Sequence, residues 1–375
     1  MSAPIIFKYL NIMIEKKASD LYLTVGFPPA LRLDSKMIAI RPEPITEEEM
    51  TELIGMVLTN RQKREFESKN EMNSSLDMGK KGRFRINVMR QKHQPAMVIR
   101  LIVSEIPSFE QLRLPPLLSK LSMEKRGLIL ITGMTGSGKS TTLASMVDYR
   151  NSNEQGHIIT IEDPIEYYHD HKKCVVSQRE VGTDTESYGT AMKNALRQRP
   201  DVILVGEIRD REVMEQALTI AETGHLCLAT VHTNNSYQAI ERIVNLFPED
   251  YAQQIRLNLA MNLRAIISQR LIPSIDGGLA LAMEVMLNQG LVKDLIMKGE
   301  ISKIKEIMEQ SNSTGMCSFD QSLLSLYQHG MISEDTAIAQ SDQQGDMKIK
   351  VRQSNLSNDS DTFSGMDTSG MSVSE

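Results

Sequence analysis

The segment GMTGSGKS, from Gly133 to Ser140, has the spacing G-x-x-x-x-G-K-[ST] of a phosphate-binding loop. Its glycines let backbone N–H groups approach phosphate oxygens, Lys139 supplies positive charge for the β- and γ-phosphates, and Ser140 supplies a hydroxyl ligand for Mg²⁺. An apolar run, GLILIT, precedes the loop, and KSTTLASMVDY follows it as a helix whose N-terminus would point at the phosphates. The sequence therefore predicts a nucleotide site. Its expected contact residues are Gly133, Thr135, Gly136, Ser137, Gly138, Lys139, Ser140 and Thr141.

Acidic residues follow two further apolar runs. Glu207 ends the buried-strand pattern of PDVILVGEIRD, and HIITIEDPIEY offers Glu162, Asp163 and Glu166. A single acid after a strand is more often a solvated loop residue or a helix cap. In a phosphate-binding domain, however, the carboxyl ends of parallel strands face one shared crevice. There such acids can hold Mg²⁺ and position a water molecule for hydrolysis.

The stretch ETGHLCLATVHTNN raises the question of a zinc site, because it holds His225, Cys227 and His232. Its central run is apolar and predicts a strand, in which residues seven positions apart are separated by about 23 Å and lie on opposite faces. The two histidines cannot share one zinc ion unless that strand is broken. His225 and Cys227 share a face, but two ligands without a third do not make a site. We expect His232 to lie beside the crevice that Glu207 enters.

The elements that must position these residues form two predicted domains. Residues 1–104 alternate helical patterns with antiparallel strand patterns and predict a small α+β domain. A proline-punctuated linker spans 105–116. Residues 117–350 begin with apolar runs typical of a mostly parallel sheet, and from about 235 the chain is mainly helical. Residues 351–375 are rich in serine and are predicted to be a disordered tail.

Composition excludes several classes of protein. The formal net charge of −6 and the 5% aromatic content argue against a nucleic-acid-binding surface. Three widely spaced cysteines fit a reducing compartment and give no disulfide or zinc framework. The first residues do not resemble a signal peptide, and no apolar run reaches the roughly 20 residues that span a bilayer. We expect no integral membrane segment, and any membrane association would be peripheral.

Four motifs in this order resemble those of the secretion ATPase superfamily: GMTGSGKST, TIEDPIEY, PDVILVGEIRD and ETGHLCLATVH. In family terms they are Walker A, the Asp box, Walker B and the His box. ASDLYLTVGFPPALRLDSK and SFDQSLLSLYQHG also look like the PilT/PilU family of type IV pilus retraction ATPases. The resemblance covers about residues 1–350.

This resemblance implies a cytoplasmic hexameric motor with a PAS-like N-terminal domain and a RecA-like P-loop domain. ATP, with Mg²⁺ held by Ser140 and Glu207, would lie at their junction. Matching motif positions make Glu166 the candidate general base and add Glu162 and His232 to the candidate catalytic residues. Arg85 and Arg100, in GRFRINV and MVIRLI, resemble arginines that reach the phosphates, where a guanidinium can stabilise developing charge. The alternative interpretation of each residue is an exposed arginine on a β-hairpin.

Departures from the family patterns refine the prediction. Assembly-type members carry a four-cysteine zinc module after Walker B, which this chain lacks. Principal retraction motors carry an AIRNLIRE-like helix, where this chain reads GLVKDLIMKGE. Together with the polar C-terminal extension, this favours a PilU-like accessory that works with a PilT-like retraction ATPase against the inner-membrane pilus platform protein, at the cytoplasmic side of the pilus base.

Three alternatives remain open from the sequence. A type IV pilus assembly or type II secretion ATPase is the nearest alternative. A RecA-like DNA-processing ATPase would require a basic stripe with interleaved aromatic residues. A structural subunit that binds ATP without useful turnover would carry the same motifs.

Overall fold

The fold is described from a computed structural model, which places residues 4–33, 36–102, 105–310 and 315–363. The chain forms two compact units, one of Met1–Ile106 with Glu166–Tyr168 and one of Pro107–Ile165 with His169–Glu375. The elements of the first unit are α1 (Ile5–Glu15), β1 (Asp20–Thr24), β2 (Ala30–Leu33), β3 (Lys36–Ala39), α2 (Glu47–Val57), α3 (Asn60–Lys69), β4 (Glu71–Asp77), β5 (Arg83–Gln91) and β6 (Gln94–Ile102).

The elements of the second unit continue in chain order. They are α4 (Pro116–Ser122), β7 (Gly127–Thr132), α5 (Lys139–Asn153), β8 (Gly156–Glu162), β9 (Cys174–Glu180), α6 (Tyr188–Ala195), β10 (Val202–Val205), α7 (Arg211–Glu222), β11 (Leu226–Val231), α8 (Ser236–Asn245), α9 (Ala252–Asn262), β12 (Leu263–Pro273), β13 (Leu279–Leu287), α10 (Leu291–Lys298), α11 (Ile304–Gln310), α12 (Phe319–Gln328), α13 (Glu334–Gln340) and α14 (Gln344–Phe363).

The first unit is an antiparallel sheet in the strand order β3-β2-β1-β6-β5-β4. Strand β5 shows how the sheet separates its faces, because side chains alternate along a strand. Phe84, Ile86 and Val88 are fully buried, whereas Arg85 and Asn87 between them are half-buried. One face of this sheet therefore builds the core, and the other presents polar side chains.

Helix α1 covers the buried side with residues at helical spacing. Ile6, Leu10 and Met13 are fully buried in the same apolar cluster as Phe84. Truncating a side chain such as Leu10 to alanine would cost about 2–5 kcal/mol, because the cavity left behind collapses only partly.

The second unit contains a seven-stranded sheet in the order β13-β12-β7-β11-β10-β8-β9. The strands from β12 to β9 pair in parallel, and β13 is antiparallel to β12. Strands β7, β10 and β11 are buried at every position, as expected where helices cover both faces of a parallel sheet. The predicted α/β class with a smaller α+β domain is confirmed.

The structure differs from two predicted boundaries. The proposed linker lies mostly in the second unit, where Leu114 is buried and the Phe109 ring stacks on Tyr149 at 5.0 Å between centroids. Helix α14 crosses the start of the predicted tail, and Val351 is buried in an apolar cluster with Phe319. Met347 and Val351, one helical turn apart, are both buried on the same face of this helix. Residues 364–375 of that tail lie outside the described part of the chain.

Strand β12 was not predicted, since the region after 235 was expected to be mainly helical with one apolar run at 279–287. That run forms β13, and β12 pairs with it and with the phosphate-loop strand β7. Arg264, Ser268, Gln269 and Arg270 interrupt the apolar pattern of β12, so the sequence shows no run that marks a buried strand.

Within the described residues, no helix has the length and the apolar content required to cross a membrane.

Candidate nucleotide and catalytic site

The predicted phosphate loop connects β7 to α5. Gly133 follows β7 with a φ of +147°, and a Cβ at this position would lie 2.6 Å from the Gln269 carbonyl oxygen and would also meet the Ser137 hydroxyl. Gly138 caps α5 in the left-handed conformation, with a φ of +86°. Any side chain at Gly133 would push the loop away from β12, so the tight turn around the phosphate position requires glycine.

Lys139 is folded into this loop. Its Nζ donates hydrogen bonds to the carbonyl oxygens of Gly133 at 2.8 Å and Met134 at 3.0 Å. Burial lowers the pKa of Lys139, and the negative charge of Glu207 opposes that shift. If phosphate oxygens replaced these neutral carbonyl acceptors, both the donor and the acceptor would be ionised and the hydrogen bonds of Lys139 would be stronger.

The loop also contains an unsatisfied polar group. The Ser137 hydroxyl is buried and has no hydrogen-bond partner among the residues that the structure places. Buried polar groups are normally paired, so this hydroxyl indicates a binding partner from outside the chain. A phosphate in the loop, with its counter-cation at Ser140 on the exposed first turn of α5, fits this set of donors.

The carboxyl ends of β8, β10 and β11 lie side by side, because the three strands are parallel neighbours. Backbone hydrogen bonds connect their ends. Gly206 N donates to Ile161 O at 2.8 Å, and Ile208 N donates to Thr230 O at 2.9 Å. Glu207 is therefore held between two strand ends by the residues on both sides of it.

Glu207 accepts contacts at both carboxylate oxygens. Arg209 Nε donates to its Oε2 at 2.7 Å, and His232 Nε2 lies 3.2 Å from its Oε1. The hydrogen bond to Glu207 raises the pKa of Arg209, whose guanidinium also lies 3.8 Å from Asp163. The structure thus brings together the Glu207 and His232 that the sequence predicted. It adds Arg209, which the sequence shows only as the basic residue of GEIRD.

Glu162 occupies the end of β8 in the same unit. Its Oε1 accepts hydrogen bonds from Thr160 Oγ1 at 2.7 Å and from Gln178 Nε2 at 3.5 Å. These contacts tie the carboxylate to β8 and to its neighbour β9. Glu162 is therefore held by neutral hydrogen-bond donors, whereas the contacts of Glu207 are to Arg209 and His232.

The two histidines of the His box flank β11, which confirms the predicted strand between them. His225 Nδ1 lies 3.1 Å from the Thr223 hydroxyl, and His232 contacts Glu207. The two imidazoles have different partners at opposite ends of the strand. This geometry assigns them separate roles.

The predicted arginines lie in the first unit. Arg85 on β5 is directly opposite Arg100 on β6, and Arg100 is in turn opposite Asp20 on β1. Arg100 Nε donates to Asp20 Oδ1 at 2.8 Å. This hydrogen bond raises the pKa of Arg100, and the charge of Glu166 adds to the effect.

The structure therefore divides the candidate catalytic residues. Glu166 belongs to the same compact unit as Arg85 and Arg100, whereas Glu162, Glu207 and His232 belong to the unit of the phosphate loop. Asp20 was not predicted, although an acid at the start of a strand is visible in ASDLYL. Nothing local links it to an arginine 80 positions later.

Two cavities adjoin the phosphate loop within the second unit. One of about 260 Å³ is lined by Gly133–Ser137 together with Asn234 and Arg270. A second, of about 510 Å³, opens beside Gly138 and Thr141 and is lined on other sides by Leu281 and Met331. The second has the size of a small-molecule pocket, which is about 300–1,000 Å³.

Comparison with known proteins gives consistent results. The family model described as type II/IV secretion system protein matches residues 4–355. The type IV pilus ATPase PilU of Pseudomonas aeruginosa is 45% identical over 367 residues, covering 98% of this chain and 96% of that protein. The type IV pilus retraction ATPase PilT of the same organism is 39% identical, covering 88% and 96%. A crystal structure of the pilus retraction motor PilT with bound ADP superimposes with a TM-score of 0.86 at 41% identity, covering 91% of this chain and 98% of that one.

Proposed function

Because the chain belongs to the type II/IV secretion system protein family, and within it to the PilT/PilU pilus retraction ATPases, we propose that it is a PilU-like accessory motor of type IV pilus retraction. It is an ATP-hydrolysing enzyme of the family whose relatives are named pilus and twitching motility proteins. Its predicted role is to assist a PilT-like motor.

One observation carries this proposal: Lys139, Glu207 and His232 all follow the carboxyl ends of neighbouring parallel strands in one sheet. The phosphate loop supplies backbone donors. The negative charge of Glu207 opposes the lowering of the pKa of Lys139 by burial. A nucleotide-binding structural subunit would need the loop alone. The Glu207–His232 contact of 3.2 Å adds an oriented carboxylate to the loop, which supports turnover.

Residue roles follow from placement. Lys139 would bind the β- and γ-phosphates, and Ser140 and Glu207 would hold Mg²⁺. When bound, Mg²⁺ neutralises charge that develops on the transferred phosphoryl group. Glu166 would accept a proton from the attacking water, and Arg85 with Arg100 would stabilise the transition state.

Arg209 and His232 would orient Glu207. The guanidinium occupies one carboxylate oxygen and the imidazole the other, so the side chain of Glu207 has a defined rotamer before substrate binds. A fixed carboxylate loses less entropy when the site closes around ATP, which lowers the barrier for the chemical step.

The 510 Å³ cavity is the proposed place of the nucleoside. It begins at Gly138 and Thr141, where the phosphate chain would leave the loop, and Leu281 and Met331 offer apolar surface for a base. An adenine ring would bury its faces against these side chains, since small-molecule pockets are lined largely by apolar groups.

Assembly and location complete the proposal. We propose a homo-hexamer, mixed assemblies or contacts with a PilT-like retraction ATPase, and a site of action at the cytoplasmic side of the inner membrane, against the platform protein of the pilus. Relatives named as type IV pilus ATPases support an association with pilus machinery. The hexamer, the partners and the location extend the motif resemblance to the retraction ATPases.

The test is the ATP hydrolysis rate of the purified protein, alone and with a PilT-like partner, with Glu207→Ala as the blank. Turnover by the protein alone would establish an independent motor. Turnover that appears only with the partner would establish an accessory subunit. Rates equal to the blank under both conditions would overturn the assignment as an active enzyme and favour a structural subunit that binds nucleotide.

A further inference from the structure

Glu284 is a carboxylate in the interior of the second unit, with 1% of its surface exposed. It lies on β13, on the opposite side of the phosphate-loop strand β7 from β10 and Glu207. Its Oε1 accepts two hydrogen bonds from Ser236, one from the backbone N at 2.7 Å and one from the hydroxyl at 2.6 Å. Burying a carboxylate costs free energy unless it is hydrogen-bonded, and these two hydrogen bonds offset part of that cost.

Ser236 is the first residue of α8, and Asn235 before it caps the helix by accepting a hydrogen bond from Gln238 N at 3.0 Å. The first N–H groups of a helix have no partner within the helix, and the helix dipole favours a negative charge near them. Asn235 and Glu284 divide these donors between them. Glu284 thereby joins the start of α8 to the sheet.

Burial raises the pKa of Glu284, and the hydrogen bonds from Ser236 oppose this more than the charge of Arg270 does. The principal partner of the carboxylate is therefore the helix start and not a basic side chain. Neighbouring strands link Glu284 to the phosphate loop. Glu284 on β13 is in register with Ser268 on β12, and Ser268 Oγ accepts a hydrogen bond at 2.9 Å from the hydroxyl of Thr132, the last residue of β7 before the loop.

Four residues separate the end of β11 from the anchored helix start. Val231, the last residue of β11, is in register with Thr132, and residues 232–235 connect it to Ser236. This connection carries His232, which contacts Glu207, and Asn234, which lines the cavity at the phosphate loop. Both of its ends are fixed, one by the sheet and one by Glu284.

Resting on the function proposed above, we propose that Glu284 is a positioning residue for hydrolysis: by holding Ser236 it fixes the 232–235 connection and orients His232 toward Glu207. It touches no substrate. Its effect is exerted through His232, and a conservative amide at the same place keeps most of it, because the amide oxygen can still accept from Ser236.

Four variants test this role: Glu284→Ala, Glu284→Gln, Ser236→Ala and Ser122→Ala. Ser122 is a matched control, a serine with 1% exposure whose hydroxyl donates to Leu118 O at 2.8 Å on α4. We expect Glu284→Ala to lower kcat about tenfold or more, Ser236→Ala to lower it about threefold to tenfold, and Glu284→Gln and Ser122→Ala to stay within about threefold of wild type. The Kd for ATP should change less than about twofold in all four, since none of them alters the loop.

A double variant separates positioning from general support of the fold. Combined with His232→Ala, Glu284→Ala should slow hydrolysis no further than His232→Ala does alone, because both changes remove one shared contribution. If the double variant lost kcat by the product of the two single-variant reductions, the proposal would be overturned. A wild-type kcat in both Glu284→Ala and Ser236→Ala would also overturn it. If Glu284→Ala does not fold, Ser236→Ala with His232→Ala gives the same test.

A second measurement does not depend on activity. Hydrogen–deuterium exchange of residues 232–240 should be faster in Glu284→Ala than in wild type and unchanged in Ser122→Ala. Unchanged exchange in Glu284→Ala would overturn the proposal. If the wild-type protein hydrolyses no ATP, the proposed function fails, while the exchange result still decides whether Glu284 fixes this segment.

Discussion

His232 Nε2 lies 3.2 Å from Glu207 Oε1, so the residues that follow two adjacent parallel strands meet side chain to side chain. Arg209 holds the other oxygen of the same carboxylate at 2.7 Å. Glu207 is thus oriented from two directions by residues on different loops. The predictions below begin from this arrangement.

Replacing His232 with alanine should lower kcat by about ten- to a hundredfold, because Glu207 loses one of its two orienting contacts. The Kd for ATP should remain within about twofold, since the contact that His232 makes in the described part of the chain is to Glu207, outside the loop of residues 133–140. Single-turnover hydrolysis and equilibrium binding of a fluorescent ATP analogue measure the two quantities. His225→Ala, at the other end of β11, is the control, and an equal loss of kcat in it would contradict a specific role for His232.

Replacing Lys139 with alanine should reduce hydrolysis at least about a hundredfold, because a donor aimed at the developing charge is lost. The fold should persist, as only two hydrogen bonds to backbone carbonyls disappear. Circular dichroism and thermal unfolding check the fold, and steady-state hydrolysis checks the activity. Lys120→Ala, on exposed α4 surface, controls for loss of a lysine. Normal turnover in Lys139→Ala would remove the assignment of the loop.

Replacing Arg100 with alanine should lower kcat about a hundredfold through loss of transition-state stabilisation. Asp20→Asn should give a smaller loss, about tenfold or less, because Arg100 keeps its charge and loses only its orienting partner. Arg64→Ala, an exposed arginine on α3, is the matched control. Equal rates in Arg64→Ala and Arg100→Ala would leave Arg100 as an ordinary surface residue.

The proposed hexamer predicts that two inactive variants restore ATP hydrolysis when they are mixed. Lys139→Ala retains Arg100, and Arg100→Ala retains the phosphate loop. If the arginine acts on the site of a neighbouring subunit, mixed assemblies of the two variants should regain part of the wild-type rate, and specific activity of the wild type should rise with protein concentration. A mixture no more active than its components, together with a flat concentration dependence, would indicate sites complete within one subunit.

His169 should make the second unit less stable in mild acid. Burial lowers the pKa of His169 to about 4, below the value near 6.5 expected in the unfolded chain. Between these values the unfolded state binds more protons than the folded state, so the free energy of unfolding falls as the pH drops from about 6.5 to about 4, by roughly 2–3 kcal/mol over the whole window.

The measurement is the difference in free energy of unfolding between wild type and His169→Gln at pH 7.5, 6.5 and 5.5. This difference should shrink as the pH falls. The unfolded wild type gains a proton on His169, whereas the glutamine of the variant does not titrate. His93→Asn, in the exposed turn between β5 and β6, serves as the control and should show a constant difference from wild type. A constant difference for His169→Gln would contradict the prediction.

The parts of the site that depend on local sequence were predictable. The loop from Gly133 to Ser140 needs glycine at fixed offsets and a strand and helix on either side, all within one short segment. Glu207 and His232 were predictable because buried parallel strands have a distinctive apolar run and their carboxyl ends meet at one edge of the sheet.

Other features depend on contacts between distant segments. Asp20 and Arg100 meet only because β1 pairs with β6, and Glu284 meets Ser236 only through the packing of α8 beside β13. Strand β12 carries polar residues at positions that no alternation explains. One of them, Gln269, is buried, and its side-chain amide donates a hydrogen bond to Thr142 Oγ1 at 2.7 Å, next to the phosphate loop. Such pairings depend on how distant segments are arranged in the fold, so no short stretch of the sequence predicts them.

The assignment of Glu166–Tyr168 to the first unit has a practical consequence for dissecting the protein. The chain passes between the units three times, after Ile106, Ile165 and Tyr168. A fragment ending at Ile106 would lack the Tyr168 ring, which lies 3.9 Å from the Arg83 guanidinium carbon. The first unit therefore cannot be obtained intact by a single truncation, whereas a fragment that starts at Pro107 keeps all of the second unit and carries the tripeptide with it. Producing the first unit alone would require grafting the missing tripeptide back by a linker or by circular permutation.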